Sequence, residues 1–256
     1  MWQADGWGSH ARIGVLAPHN DVVPEGEFWA MAPPGVSVHA ARVPLGWRGT
    51  TEPALIGSEA VRAFAEPPHL DAAAELLAAA PLNVITYAFT SSSYVLGAHG
   101  DTALKNRLEK QTRGIPLLIT CLSAGLALRT LAVRRVALIH PPWFPAELDQ
   151  LGAEYFRSHG FDVVYAAAVG LSISQLDVQP APVYDWVKAH VPAAAEAVFL
   201  GGNGFRVIGT IQALEEALGR PVLTANQVLL WHALRSARVP VPVVNYGQIF
   251  SRELPE

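Results

Sequence analysis

A single cysteine, Cys121, in 256 residues excludes an internal disulfide framework and any metal site built on several thiolates. Basic residues are also few. Eighteen Lys and Arg stand against 22 Asp and Glu, for a formal charge of −4, so there is no electrostatic footprint for nucleic acid. No run of like charges marks a membrane surface, and no apolar run approaches the ~18 residues of a spanning helix. The opening stretch, Met1 to Gly8, lacks the basic start and apolar core of a signal peptide. A cytoplasmic location is the expectation. Nine histidines, at positions 10, 19, 39, 69, 99, 140, 159, 190 and 232, make no i, i+4 pair and no His-Glu-x-x-His run, so no metal is expected.

What is present points to a compact α/β protein. Half the residues are hydrophobic and only 16% are charged, enough apolar material for one large core or two small ones. Strand-like runs at 12–17, 37–43, 83–88, 114–120, 135–140, 161–165, 197–200 and 221–224 alternate with helical patterns. The helices are expected at 70–80, 101–112, 123–131, 146–158, 183–190, 207–218 and 227–236. Strands apolar on both faces and separated by amphipathic helices imply parallel sheets covered on both sides. The rhythm of the first half recurs in the second, which predicts two similar α/β lobes. Residues 1–113 with 225–256 form the first, and 114–224 the second.

Ligands in such folds bind at the carboxyl ends of strands, and two strand ends are chemically distinctive. Val84–Ala88 runs into Phe89-Thr90-Ser91-Ser92-Ser93, and Ala197–Leu200 runs into Gly201-Gly202-Asn203-Gly204. The first offers hydroxyls, backbone N–H groups and a helix dipole at one turn. An ordinary Ser-rich helix cap is the plainer alternative. The second lets backbone approach a ligand closely, because glycine has no Cβ. It nearly mimics a dinucleotide fingerprint, but Val207 stands where the third glycine belongs and no acid ends the next strand. Nucleotide binding is therefore not expected.

Other strand ends supply single residues. Asn20 follows the first strand, as an Asx-turn or as an amide grip on a carboxylate. His19, His99 and His140 fall near loop or strand ends, and histidine is the side-chain type suited to proton transfer at neutral pH. Cys121 follows the fourth strand, where an inert buried thiol is the commoner fate.

In order, Arg12–Asn20, Val36–Arg42, Phe89–Ser91, Ala127–Ala137, Leu200–Gly204 and Leu214–Gln227 with Trp231 resemble the aspartate/glutamate racemase superfamily. The likeness is to the branch of maleate cis-trans isomerase and arylmalonate decarboxylase. It implies two Rossmann-like lobes with an active-site cleft between them, no cofactor, a small carboxylic acid as substrate or ligand, and a homodimer. It also implies that Thr90 and Ser91 are oxyanion donors, that Gly202 and Asn203 offer backbone N–H groups with Gly204 beside them, and that Asn20 binds substrate.

The chain departs from that pattern at the chemistry. Racemases and maleate isomerases of the superfamily carry a cysteine on each lobe, at positions matching Phe89 and Gly202. Arylmalonate decarboxylases keep only the second, and a tyrosine common after the fifth strand is replaced here by Pro142-Trp143. Phenylalanine and glycine can neither attack nor carry a proton, so racemisation by two opposed thiols is excluded. Three readings remain. One is a lyase or isomerase whose proton transfer has moved to Cys121, His19, His99, His140 or water. The second is a carboxylate-binding or regulatory protein without chemistry. The third is a different reaction, such as hydrolysis or dehydration, in a cleft reshaped by Phe89.

Overall fold

The computed structural model describes residues 7–45 and 55–255; residues 1–6, part of the stretch read above for a leader, lie outside it. It contains two four-stranded sheets of the same topology. The first is built from β1 (Ala11–Pro18), β2 (Val36–Val43), β3 (Val84–Tyr87) and β4 (Leu117–Ile119), in the order β2-β1-β3-β4. The second is built from β5 (Arg135–His140), β6 (Asp162–Ala168), β7 (Ala197–Leu200) and β8 (Val222–Thr224), in the order β6-β5-β7-β8. Every pairing is parallel. The central strands β3 and β7 are buried at every residue, as expected for sheets with helices on both faces.

Nine α-helices are described: α1 (Val23–Met31), α2 (Ser58–Ala65), α3 (His69–Leu77), α4 (Thr90–Glu109), α5 (Thr120–Thr130), α6 (Ala146–Ser158), α7 (Pro180–His190), α8 (Ile211–Leu218) and α9 (Ala225–Ser236). Three depart from the sequence expectation. α1 and α2 fall in stretches for which the sequence pattern predicts no element. α4 begins at Thr90, eleven residues before the expected start at Asp101, and continues through an interruption at Gly97 (φ 67°, ψ 178°). Only glycine takes such a conformation freely, and the serine run before it hid the first half of the helix.

β4 hydrogen-bonds to β3, so the first sheet extends to Ile119, beyond the boundary expected at residue 113. α9 packs on α1, α5, β3 and β4 and also touches β8, from which it follows directly. Its start is fixed locally. Thr224 and Gln227 form a reciprocal capping box, satisfying two N-terminal donors at once. α4 lies against α6, joining the lobes beside the facing strand ends. No helix among the described residues is long and apolar enough to cross a membrane.

Candidate active site

The carboxyl ends of β3 and β7 meet. The Gly202 N–H donates to Thr90 Oγ1 at 3.1 Å. Thr90 in turn donates to Asn203 Oδ1 twice, from its N–H at 2.9 Å and from its hydroxyl at 2.7 Å. Thr120, heading α5, places Oγ1 3.3 Å from the same oxygen while donating to the Tyr87 carbonyl at 2.9 Å. These contacts arise because Thr90 is the first residue of α4, where backbone N–H groups have no intrahelical acceptor. Ser91 follows it, 2% exposed. Thr90, Thr120, Gly202 and Asn203 thus share one nest, with Ser91 next to Thr90 in the first turn of α4. Both lobes build it.

Behind the nest lies a buried carboxylate. Asn203 Nδ2 donates to Asn226 Oδ1 at 2.8 Å, and Asn226 Nδ2 donates to Glu27 Oε2 at 2.7 Å and to the Asn203 carbonyl at 2.9 Å. Glu27 Oε1 accepts from the Val207 and Ile208 N–H groups at 2.8 and 3.1 Å. Burial pushes the Glu27 carboxyl up to about 7, against the pull of these donors. Asp21 is raised likewise by burial, to about 6. Its Oδ1 accepts from Gln175, which also donates to the Gly204 carbonyl at 3.0 Å, so Gly204 belongs to a second bridge between the lobes.

Gly202 has φ +110°, and a Cβ there would lie 2.8 and 2.9 Å from Pro141 Cδ and Cγ. Ring atoms tied to the backbone cannot swing aside. The turn therefore has no room for a side chain at the position where the resemblance places a thiol. Phe89, 7% exposed, packs its ring 4.3 Å from that of Phe64, in the large hydrophobic core that both sheets share.

His140, at the end of β5, is fully buried. Its Nδ1 lies 2.6 Å from Asp149 Oδ1 and its Nε2 lies 3.1 Å from the Tyr94 hydroxyl. That hydroxyl sits 2.8 Å from where a Gly201 Cβ would be, one residue from the nest. Asp149 reaches the other way and lines a surface cavity of 380 Å³ with Arg157 and Tyr165. A chain of titratable groups thus runs from solvent to the glycine turn. Burial drives the Tyr94 phenol well above its ordinary range, so it stays protonated unless a base takes its proton.

The remaining candidates lie differently. Cys121 is buried and its thiol donates to the Thr90 carbonyl at 3.6 Å. Burial pushes it well upward, which holds it in the thiol form beneath the first turn of α4. His99 is exposed beyond the Gly97 interruption and takes no part in the hydrogen bonds of the nest. Asn20 and His19 are exposed in the turn after β1, with His19 Nδ1 accepting from the Leu45 N–H at 3.0 Å.

Glu27, Asn226, Tyr94 and Asp149 were not singled out from the sequence. Tyr94 had a signal, because it stands four residues after Thr90 and so shares its helix face. Glu27 had none, being on a helix that the sequence pattern does not predict.

A model of the arylmalonate decarboxylase family matches residues 67–250. Among solved structures, a variant of the maleate isomerase Iso from Pseudomonas putida S16, holding maleate, is 20% identical with a TM-score of 0.81. That match covers 96% of this chain and 99% of that one. A Nocardia farcinica maleate cis-trans isomerase variant with a covalently bound succinylcysteine intermediate is 20% identical, TM-score 0.81, covering 94% and 98%. An arylmalonate decarboxylase variant in a sulfate-associated form is 22% identical, TM-score 0.75, covering 94% and 99%. At such identities the likeness concerns the fold. No curated protein matches the chain.

Proposed function

The chain belongs to the arylmalonate decarboxylase family, and from that membership we propose that it is a cofactor-independent lyase or isomerase of the decarboxylase type, acting on a small organic acid. The observation that carries this reading is the buried junction of the two strand ends, where the Thr90 N–H and hydroxyl donate to Asn203 Oδ1 and the Gly202 N–H donates to Thr90 Oγ1. Donors fixed in a dry site stabilise charge without reorganising as it forms.

For a carbon bearing two carboxylates, one is held at the nest. The bond to the other breaks, CO₂ departs, and the electron pair spreads into the retained carboxylate as an enediolate. The carbon then takes one proton. We assign that proton to the Tyr94 hydroxyl, with His140 returning a proton to it through Nε2. Asp149, against His140 Nδ1, opens to solvent, from which the proton is replenished. A single donor suits decarboxylation, which needs one protonation, whereas racemisation needs two opposed proton carriers. Cys121, committed to the Thr90 carbonyl and held as a thiol, has no part in this route, and neither has exposed His99.

A second reading, a carboxylate-binding protein without turnover, draws support from the closed Gly202 position, where no thiol fits. Incubation with an arylmalonate and with maleate, followed by ¹H NMR, separates the two. Formation of the monoacid or the isomer, lost in His140→Gln, supports the enzyme. Saturable binding without product supports the binding protein.

A further inference from the structure

The hydrogen bonds behind the nest all run one way. The Glu27 carboxylate accepts from Asn226, Asn226 Oδ1 accepts from Asn203, and Asn203 Oδ1 accepts from Thr90. Glu27, Thr90, Asn203 and Asn226 are each at most 5% exposed. A carboxamide has one accepting and one donating end, and an ionised carboxylate can only accept. Glu27 therefore fixes the orientation of both amides. The result is that Asn203 presents its oxygen, not its NH₂, to the donors of the anion nest.

We propose that Asn203 is an internal ligand of the nest, displaced by an incoming carboxylate when both amides turn over and Glu27 takes up the proton that closes the reversed chain. This rests on the carboxylate-binding reading above. In the reversed order Glu27 Oε2–H donates to Asn226 Oδ1, Asn226 Nδ2 donates to Asn203 Oδ1, and Asn203 Nδ2 donates to the ligand. No covalent bond changes except the one to the proton taken from solvent. One carboxylate arrives and one is neutralised, so the buried charge stays constant, and an uncompensated buried charge is the costliest alternative.

Chemical selectivity follows. A carboxylate oxygen makes charge-assisted hydrogen bonds about twice as strong as those of a neutral acceptor, so it displaces the amide. A ketone, ester or amide oxygen offers only what Asn203 already supplies. The surroundings of Glu27 favour proton uptake near neutrality. Asp21, from the turn before α1, adds a like charge, and burial acts in the same direction. Arg42 on β2 faces away from Glu27, bonding the Asp21 carbonyl and the Glu25 carboxylate. The groups reaching Glu27 from the second lobe are the neutral N–H groups of Val207 and Ile208.

Glu27→Gln is the diagnostic variant. Its oxygen keeps the Val207 and Ile208 N–H groups while its NH₂ donates to Asn226 Oδ1, which sets the reversed order permanently. Isothermal titration with maleate and with an arylmalonate, at pH 7, 8 and 9 in buffers of different ionisation enthalpy, reads the coupling. Wild-type protein is expected to take up close to one proton per ligand above pH 7, its affinity falling about tenfold per pH unit. Glu27→Gln is expected to bind tighter at pH 8, with no proton uptake and no pH slope. Asn203→Ala opens the nest by another route and should also bind tighter. The diester of the arylmalonate should not bind wild-type protein. Binding by wild type without proton uptake, or variants that bind no tighter, overturns the internal ligand and leaves the nest a carboxylate site. Absence of binding by all three proteins, each folded by circular dichroism, overturns both.

Discussion

Gly202 and Thr90, 112 residues apart in sequence, are joined by a 3.1 Å hydrogen bond from the glycine N–H to the threonine hydroxyl. The same hydroxyl donates to Asn203, so one side chain binds the second lobe in both directions. Thr90→Val keeps the shape and removes both bonds, leaving a buried N–H without an acceptor. Urea unfolding should show a loss of about 1–3 kcal/mol, and carboxylate affinity should fall at least tenfold, which calorimetry reads. Thr90→Ser should retain most of each.

Gly202→Cys puts a thiol back where the resemblance expects one, yet it should not create activity. The φ of +110° and the Pro141 ring 2.8 Å from the new Cβ oppose any side chain there. A stability loss of roughly 1–3 kcal/mol from backbone strain, with no gain in turnover, is the expected outcome. A faster variant would show that the turn reshapes to accept the thiol.

Tyr94→Phe removes the last member of the chain from Asp149 through His140. If that chain delivers the proton, kcat should fall ~10²-fold or more while KM changes little, because the nest itself is untouched. Asp149→Asn should lower kcat and alter its pH profile. Steady-state kinetics across pH 5–9 tests both. Parallel losses of kcat and protein stability, with an unchanged profile, would assign the chain to holding α4 against α6.

Glu27 also leaves a mark on stability. Its folded value near 7 lies above the ordinary 4.5, so the folded protein binds this proton more tightly than the unfolded chain. The contribution is complete below about pH 4.5, is lost as pH rises to 7, and then levels. Its size is roughly 3 kcal/mol. Asp21 and Asp101, both raised from 3.8 to about 6, act in the same direction over a lower window. His232, lowered to about 4 by burial, acts oppositely, losing stability as pH falls. Comparison with Glu27→Gln isolates the one group. The variant's stability relative to wild type should rise by ~3 kcal/mol between pH 4.5 and 7.5, measured by urea unfolding. A difference independent of pH would contradict the raised Glu27.

The two strand ends were readable because their signal is local: a buried run stopping in hydroxyls, and another stopping in glycines. The repeated rhythm predicts two similar lobes, which the two identical sheet orders show, and the bonds of Thr90 to Gly202 and Asn203 bring the two strand ends together. What escaped was non-local or masked. Glu27 reaches residues 180 positions away through its side chain, and no spacing rule announces such a contact. Serines 91–93 look like loop but are helix, because Thr90 gains its N-terminal partner from the other lobe. The role of Asn203 was expected from its backbone, whereas its side chain makes the key contacts.

The most direct measurement follows the backbone amide resonances of Thr90, Ser91 and Gly202 by ¹H–¹⁵N NMR while an arylmalonate is titrated at pH 7. A carboxylate site in this nest predicts that these three shift together and saturate with one affinity, and that the Asn203 side-chain NH₂ pair moves with them. Saturable shifts confined to other residues, with these amides unmoved, would contradict it.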